Sequence, residues 1–77
     1  MKSLNHNTLY RHYSHLSPTT RHLLGISRIK SCLEAGYGYT ATRMHESHQL
    51  KLYSLAESYR ELLRLITHKM LMNDFQK

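Results

Sequence analysis

The chain contains one proline and three glycines, and all of these helix-breaking residues lie before residue 39. Residues 41–74 therefore lack the two residue types that most often end a helix. At roughly 100° per residue, the apolar residues of this stretch fall within a sector of about 120°, which is typical of a helix packed on one side. The sequence thus predicts one long helix over 41–74. Its apolar stripe consists of Ala41, Met44, Leu52, Leu55, Ala56, Tyr59, Leu62, Leu63, Ile66 and Met70.

A second helix is predicted over residues 18–35. Ser17 is a favourable N-cap, and Pro18 suits the first helical position, where its missing N–H would have no partner. Gly36 directly follows this segment, and glycine commonly occupies the position just after the last residue of a helix. Apolar residues recur inside these limits at steps of three and four, which indicates one buried side. These residues are Leu23, Ile26, Ile29 and Leu33.

The segment before Pro18 has a weaker pattern. Leu9, Tyr13 and Leu16 share one side of a short helix over 8–16, with Asn7 as its cap. A short helix and an irregular segment both fit this pattern, and residues 1–6 are expected to be disordered.

Residues 36–40 are interpreted as a helix-to-helix loop, with Thr40 capping the following helix. A loop this short folds the long helix back against its predecessor. The predicted fold class is therefore all-α, a helical hairpin with a long C-terminal helix in a single domain over residues 1–77.

The two predicted helices differ in length, at about 50 Å and about 27 Å. The shorter helix would leave much of the longer one uncovered. Apolar residues near the C-terminal end of the longer helix point in several directions. We therefore expect a homodimer in which two hairpins form a four-helix-type bundle; the alternative is that residues 71–77 fray. The predicted dimer or partner interface comprises Leu55, Tyr59, Leu62, Leu65, Ile66, Met70, Leu71, Met72 and Phe75.

The charge of the chain is unbalanced, with 11 Lys+Arg against 5 Asp+Glu and a formal net charge of +6. This excess favours an anionic partner. Because the basic residues are spread along the helices, they suit phosphate contacts without base recognition, or simply a solvated surface. The candidates for anion binding are Arg21, Arg28, Arg43, Lys51, Arg60 and Arg64.

A DNA-reading helix-turn-helix with its turn at Gly36 is excluded, because Ser31, Thr42 and His45 would occupy positions where apolar residues pack the two helices.

Catalytic chemistry has little support in the sequence. The acidic residues are expected to be solvated, with Glu57 and Glu61 spaced for local ion pairs with Arg60 and Arg64. We predict no enzyme, no catalytic residue and no cofactor. The acidic residues are Glu34, Glu46, Glu57, Glu61 and Asp74.

Cys32, His45 and His48 are weak candidates for a metal site, because the predicted hairpin would bring them near one another. Zinc takes about four ligands, and no fourth is apparent. Cys32 also projects to the flank of its helix, so hydrogen-bonded histidines at the end of the hairpin are the favoured interpretation. The single cysteine cannot close an internal disulfide, which favours a reducing compartment.

The pattern as a whole predicts a non-enzymatic regulatory or adaptor protein that binds another macromolecule through helix surfaces. Its size class is that of regulators or inhibitors carried by phages and mobile elements. The alternatives are a nucleic-acid-binding protein that uses distributed phosphate contacts, and a structural or metal-binding subunit of a larger complex. No targeting signal and no apolar stretch of about 20 residues is visible, so a cytoplasmic location without membrane association is expected.

Overall fold

The computed structural model describes residues 4–70, including the side chains of residues 4–68. This part of the chain is all-helical, which confirms the all-α class. In chain order it contains α1 (His6–Ser14), α2 (Pro18–Ala35), α3 (Tyr37–Gln49), α4 (Tyr53–Leu65) and a terminal π-helical turn (Ile66–Met70).

Helix α1 forms, but it begins two residues earlier than the sequence pattern indicates. Its cap is Asn5 rather than Asn7, because the Asn5 side chain accepts a hydrogen bond from the Thr8 N–H at 2.8 Å. Leu4 is buried, and its N–H donates to Glu34 Oε2 at 3.0 Å. The expectation of disorder is therefore wrong for residues 4–6, while residues 1–3 lie outside the described part of the chain.

Helix α2 has the predicted ends. Ser17 Oγ accepts a hydrogen bond from the Thr20 N–H at 3.2 Å, Pro18 occupies the first turn, and the Gly36 N–H closes the last turn on Cys32 O. Between these ends, Gly25 has φ 78° and ψ 160°, which interrupts the helix. A backbone in this region is accessible to glycine and strongly disfavoured for other residues.

The break at Gly25 changes which residues of α2 are buried. A continuous helix would place Leu23 on the same side as Ile29 and Leu33, but Leu23 is 38% exposed while the other two are fully buried. Cys32 was expected on the flank of the helix, and it is instead buried against the core. The first difference arises because Leu23 precedes the break while Ile29 and Leu33 follow it. Cys32 follows the break together with Ile29 and Leu33 and is buried in the same core.

The single helix predicted over 41–74 is wrong. Helix α3 ends at Gln49, α4 begins at Tyr53, and Lys51 between them has φ 62°. The Leu52 N–H donates to Ser47 O at 2.9 Å, which closes a tight turn. A non-glycine residue in this left-handed conformation costs about 1–2 kcal/mol. The core that α4 forms with α1 and α2 offsets that cost, since each large apolar side chain buried there contributes about 1.5–3 kcal/mol, whereas the buried residues of α3 itself are Thr40 and Ser47.

The connection between α2 and α3 also differs from the expected loop over 36–40. Gly36 alone separates the two helices, with φ 97°, and α3 begins at Tyr37. Thr40 lies inside α3, where its buried hydroxyl donates to Gly36 O at 2.9 Å, so it is not the helix cap. Among the described residues, the most extensive packing between two helices is that of α3 on α4.

One core forms from α1, α2, α4 and the π-helical turn, with Met44 of α3 packed against it. The stripe of α4 is therefore covered by other helices of the same chain. The core residues are Leu4, Leu9, Leu16, Leu24, Ile29, Cys32, Leu33, Tyr59, Leu62, Leu65 and Ile66.

Replacing Lys51 with glycine tests the break between α3 and α4. We expect Lys51→Gly to raise the free energy of unfolding by about 0.5–1 kcal/mol, because glycine adopts positive φ without strain. In a continuous helix the same change would lower it by a similar amount. Urea unfolding of the two proteins gives the sign, with Lys30→Gly in α2 as a control that should be destabilising. A less stable Lys51→Gly protein would contradict the turn.

Candidate binding surface

Several large apolar side chains are exposed at and near the α3–α4 turn. Leu50 is 70% exposed, Leu52 48% and Tyr53 58%. Leu23, displaced from the core by the break at Gly25, lies beside Leu52 and Tyr53. Half-buried Leu55 lies next to both Leu23 and Leu50. We call Leu23, Leu50, Leu52, Tyr53 and Leu55 the leucine surface. Single exposed apolar residues are ordinary, but contiguous ones commonly mark interaction sites.

The leucine surface contains shallow depressions. Two adjoining depressions, of about 470 Å³ and about 280 Å³, share Leu52, Leu55 and Arg28 in their linings. The larger one is completed by Leu23, Lys51, Tyr53 and Ser54. The smaller one is completed by Tyr39, Arg43, Glu46, Ser47, Leu50 and Tyr59.

Positive charge borders these depressions. Arg28, Arg43 and Lys51 line them, and Glu46 is the one carboxylate among their lining residues. Glu46 is already engaged, since its Oε2 lies 2.9 Å from Arg43 Nη2. Within residues 4–68, neither Arg28 nor Lys51 forms an ion pair. The net charge of the surface is therefore positive, with two cations available to a partner.

Arg43 is held in place by two contacts. Besides its ion pair with Glu46, its guanidinium carbon lies 5.3 Å from the centroid of the Tyr39 ring, a cation–π contact. Such a contact restrains the side chain and contributes about 0.5–1 kcal/mol at an exposed site.

The buried groups beside the surface are neutral at physiological pH. Burial raises the pKa of the Cys32 thiol above its ordinary 9.0, against the opposing effects of the Thr40 hydrogen bond and of Arg43 and Arg28. Burial likewise raises the pKa of the Tyr59 phenol above 10.0. A protonated, buried thiol is a poor nucleophile and a poor metal ligand.

The candidate anion-binding residues separate into two groups and one further residue, Arg21. Arg28, Arg43 and Lys51 come together at the leucine surface. Arg60 and Arg64 lie elsewhere, at a polar depression of about 680 Å³ that Ser17, Thr19, Thr20, Ser54, Glu57, Ser58 and Glu61 also line. Arg21 is half-buried, with its guanidinium carbon 5.7 Å from the Tyr13 ring centroid.

Glu61 was expected to be solvated and paired with Arg64, and the structure corrects this expectation. Its Oε2 accepts a hydrogen bond from the Ser17 N–H at 2.7 Å, and its Oε1 accepts from the hydroxyls of Ser17 and Thr20. Glu61 thus joins α4 to the N-terminus of α2. Glu57 behaves as expected, with its Oε2 3.7 Å from Arg60 Nη1 and both side chains exposed.

The side chains predicted to contact a second copy are mostly used within one chain. Tyr59, Leu62, Leu65 and Ile66 are buried in the core, so a partner cannot reach them without opening it. Leu55 stays accessible as part of the leucine surface. The side chain of Met70 and residues Leu71, Met72 and Phe75 lie outside the described part of the chain.

The candidate metal ligands do not form a site. Cys32 is buried, whereas His45 and His48 are exposed on α3. His48 instead packs edge-on against Tyr53, with ring centroids 5.9 Å apart. Across residues 4–68, the structure contains no group of three histidine, cysteine or acidic side chains that could hold a metal ion.

The exposure of the leucine surface was missed by the sequence analysis, although one signal was present. Leu50 lies about 180° from the centre of the apolar stripe predicted for residues 41–74. A leucine on the polar side of an amphipathic helix indicates either an exposed apolar side chain or an interruption of the helix, and both occur here.

No protein family, curated protein or solved structure matches the chain. Every helix in the described part of the chain is too short or too polar to cross a membrane.

Proposed function

We propose that the chain is a small, non-enzymatic adaptor or regulatory protein that binds another protein through the leucine surface. The observation that carries this proposal is the exposure of Leu50, Leu52 and Tyr53 side by side at the α3–α4 turn. Burying a large apolar side chain completely contributes about 1.5–3 kcal/mol. A micromolar Kd corresponds to a binding free energy of about 8 kcal/mol. Covering these three residues would supply a substantial part of that free energy.

The polar neighbours of the surface support the same proposal. Tyrosine and arginine are enriched among the residues that dominate binding energies at protein interfaces. Tyr39, Tyr53, Arg28 and Arg43 lie at or between the two depressions. The apolar centre would supply affinity, and the bordering cations would orient the partner.

Capture from the native host tests this proposal. Wild-type chain and the variant Leu50→Ser/Leu52→Ser are used as bait after nuclease treatment of the lysate. We expect the wild type to retain a specific protein and the variant to lose it, with little change in stability because both side chains are exposed. Tyr10→Ser is the matched control, because Tyr10 is 54% exposed on α1, away from the leucine surface. Equal capture by all three baits would reject the surface.

Nucleic-acid binding is the second candidate, and one observation favours it. Arg28, Arg43 and Lys51 lie beside Tyr39 and Tyr53, and basic side chains with exposed aromatic rings are typical of single-strand binding. Binding of this kind would weaken steeply between about 50 and 200 mM salt. It would also depend on the cations far more than on Leu50 and Leu52, so the serine variant distinguishes the two functions.

The homodimer stays a prediction. Its remaining support comes from Leu71, Met72 and Phe75, since the buried stripe of α4 is already covered. Sedimentation equilibrium of the full chain and of Leu71→Ser/Phe75→Ser measures it: we expect a concentration-dependent mass for the first and a monomer for the second. A monomeric wild type at micromolar concentration would reject the dimer.

A further inference from the structure

We infer that the partner presents an acidic amphipathic helix to the leucine surface, with apolar side chains in the two depressions and carboxylates facing Arg28 and Lys51. This inference rests on the proposed function and adds to it the chemical nature and secondary structure of the partner segment. Three features of the surface carry it: the exposed apolar side chains at its two depressions, its unbalanced charge and the helical elements that form it.

The charge of the surface selects an acidic partner. Of the four charged residues that line the depressions, Arg28, Arg43 and Lys51 are cationic, and Glu46 is engaged by Arg43. Lys51 lies between Leu50 and Leu52 in the chain, and Arg28 lines both depressions. A carboxylate placed beside an apolar anchor would therefore meet a cation at either depression. Lysines in the same place would be repelled.

The same charges argue against a second copy as the occupant. A two-fold symmetric interface brings one surface against itself. Two copies of the leucine surface would place Arg28 and Lys51 of one chain near the same cations of the other. Like charges held close at an interface are unfavourable, so self-association through this surface is disfavoured.

The shape of the surface favours a protein segment over a lipid bilayer or a nucleic acid. Leucine side chains gain little from phosphate groups, and two local depressions of about 470 Å³ and about 280 Å³ suit individual side chains better than a continuous lipid surface. Leucine-sized side chains can enter both of them. Helices surround both depressions, and the described residues contain no sheet edge to which an extended strand could be added. The matching recognition mode is therefore a helix in a groove, anchored at i, i+3 or i+4, and i+7.

A set of designed peptides tests the inference directly. Three fluorescent helical peptides of about 18 residues carry the same leucines at i, i+3, i+4 and i+7. They differ only at the flanking positions, which are glutamate, glutamine or lysine. Binding to the full chain is measured by fluorescence anisotropy. We expect the glutamate peptide to bind about tenfold more tightly than the glutamine peptide, and the lysine peptide to bind most weakly.

Charge reversal on the chain supplies the matched controls. Arg28→Glu/Lys51→Glu should invert the order of the glutamate and lysine peptides. Arg60→Glu/Arg64→Glu makes the same change in net charge away from the leucine surface and should preserve the order. Leu52→Ser should weaken the glutamate and glutamine peptides by the same factor, because it removes an apolar contact that both share.

The outcomes separate this inference from the function on which it rests. Equal binding of the three peptides would overturn the acidic preference and leave a protein-binding leucine surface standing. Failure of every leucine peptide, while a host protein is still captured through Leu50 and Leu52, would overturn the helical partner alone. If a leucine-free glutamate peptide, a single-stranded oligonucleotide or an anionic vesicle bound as tightly as the glutamate–leucine peptide, both proposals would fail.

Discussion

Alanine at position 25 will lower the free energy of unfolding by about 1–3 kcal/mol. Gly25 has φ 78° and ψ 160°, a conformation in which any Cβ atom is strained. An ideal Cβ at this position meets nothing within 4 Å, so the expected loss comes from the backbone and not from a steric clash. In a regular helix the same substitution would raise stability by about 1 kcal/mol. The sign of the change therefore tests the break in α2.

Gly38 is the matched control for this experiment. It lies in the first turn of α3, its φ is negative, and an added Cβ there also meets nothing within 4 Å. We expect Gly38→Ala to be neutral or slightly stabilising. Urea unfolding of both variants and the wild type measures the two changes. If Gly25→Ala were as stable as Gly38→Ala, the interrupted form of α2 would be refuted.

We expect Glu61→Gln to lower the free energy of unfolding by about 1–2 kcal/mol at about pH 7. The Glu61 carboxylate accepts hydrogen bonds from the Ser17 N–H and from the hydroxyls of Ser17 and Thr20 at the start of α2. Burial alone would raise the pKa of Glu61, but the hydrogen bonds from Thr20 and Ser17, together with the charge of Arg21, outweigh it and lower the pKa below its ordinary 4.5. A carboxyl with a lowered folded-state pKa stabilises the protein above its unfolded pKa. That stabilisation is lost as the pH falls through the folded value.

The pH dependence therefore has a defined sign. The difference in stability between the wild type and Glu61→Gln should be full above about pH 5 and should shrink as the pH falls below 4.5. Urea unfolding across this range measures it. Glu57→Gln, one helical turn earlier, removes only an exposed ion pair and should change stability by a few tenths of a kcal/mol. A pH-independent deficit in Glu61→Gln would show that the ionised carboxyl is not the stabilising group.

The sequence predicted helices well and predicted their interruptions poorly. The limits of α2 were accessible because Ser17, Pro18 and Gly36 act through local backbone chemistry. The breaks at Gly25 and Lys51 depend on packing between distant segments, which decides whether a strained backbone is offset by burial. At Lys51 a residue with good helix propensity ends a helix, so local preference pointed in the wrong direction.

The candidate site shows the same division. The excess of positive charge, and with it Arg28, Arg43 and Lys51 as candidate anion-binding residues, could be inferred from residue types alone. The grouping of these cations around exposed leucines could not, because it requires both breaks to be known. Glu61 was misassigned for a related reason: its partners Ser17 and Thr20 are more than 40 residues away in the chain.

At position 51, backbone stability and partner recognition favour different residue types. The positive φ at this position would be least strained with glycine or asparagine. Either residue would, however, remove the ammonium group that a carboxylate-bearing partner would meet. Selection for heat tolerance alone would be expected to discard this lysine, whereas selection for recognition would be expected to retain it. Variants enriched separately under the two pressures should diverge at position 51 before they diverge in the core.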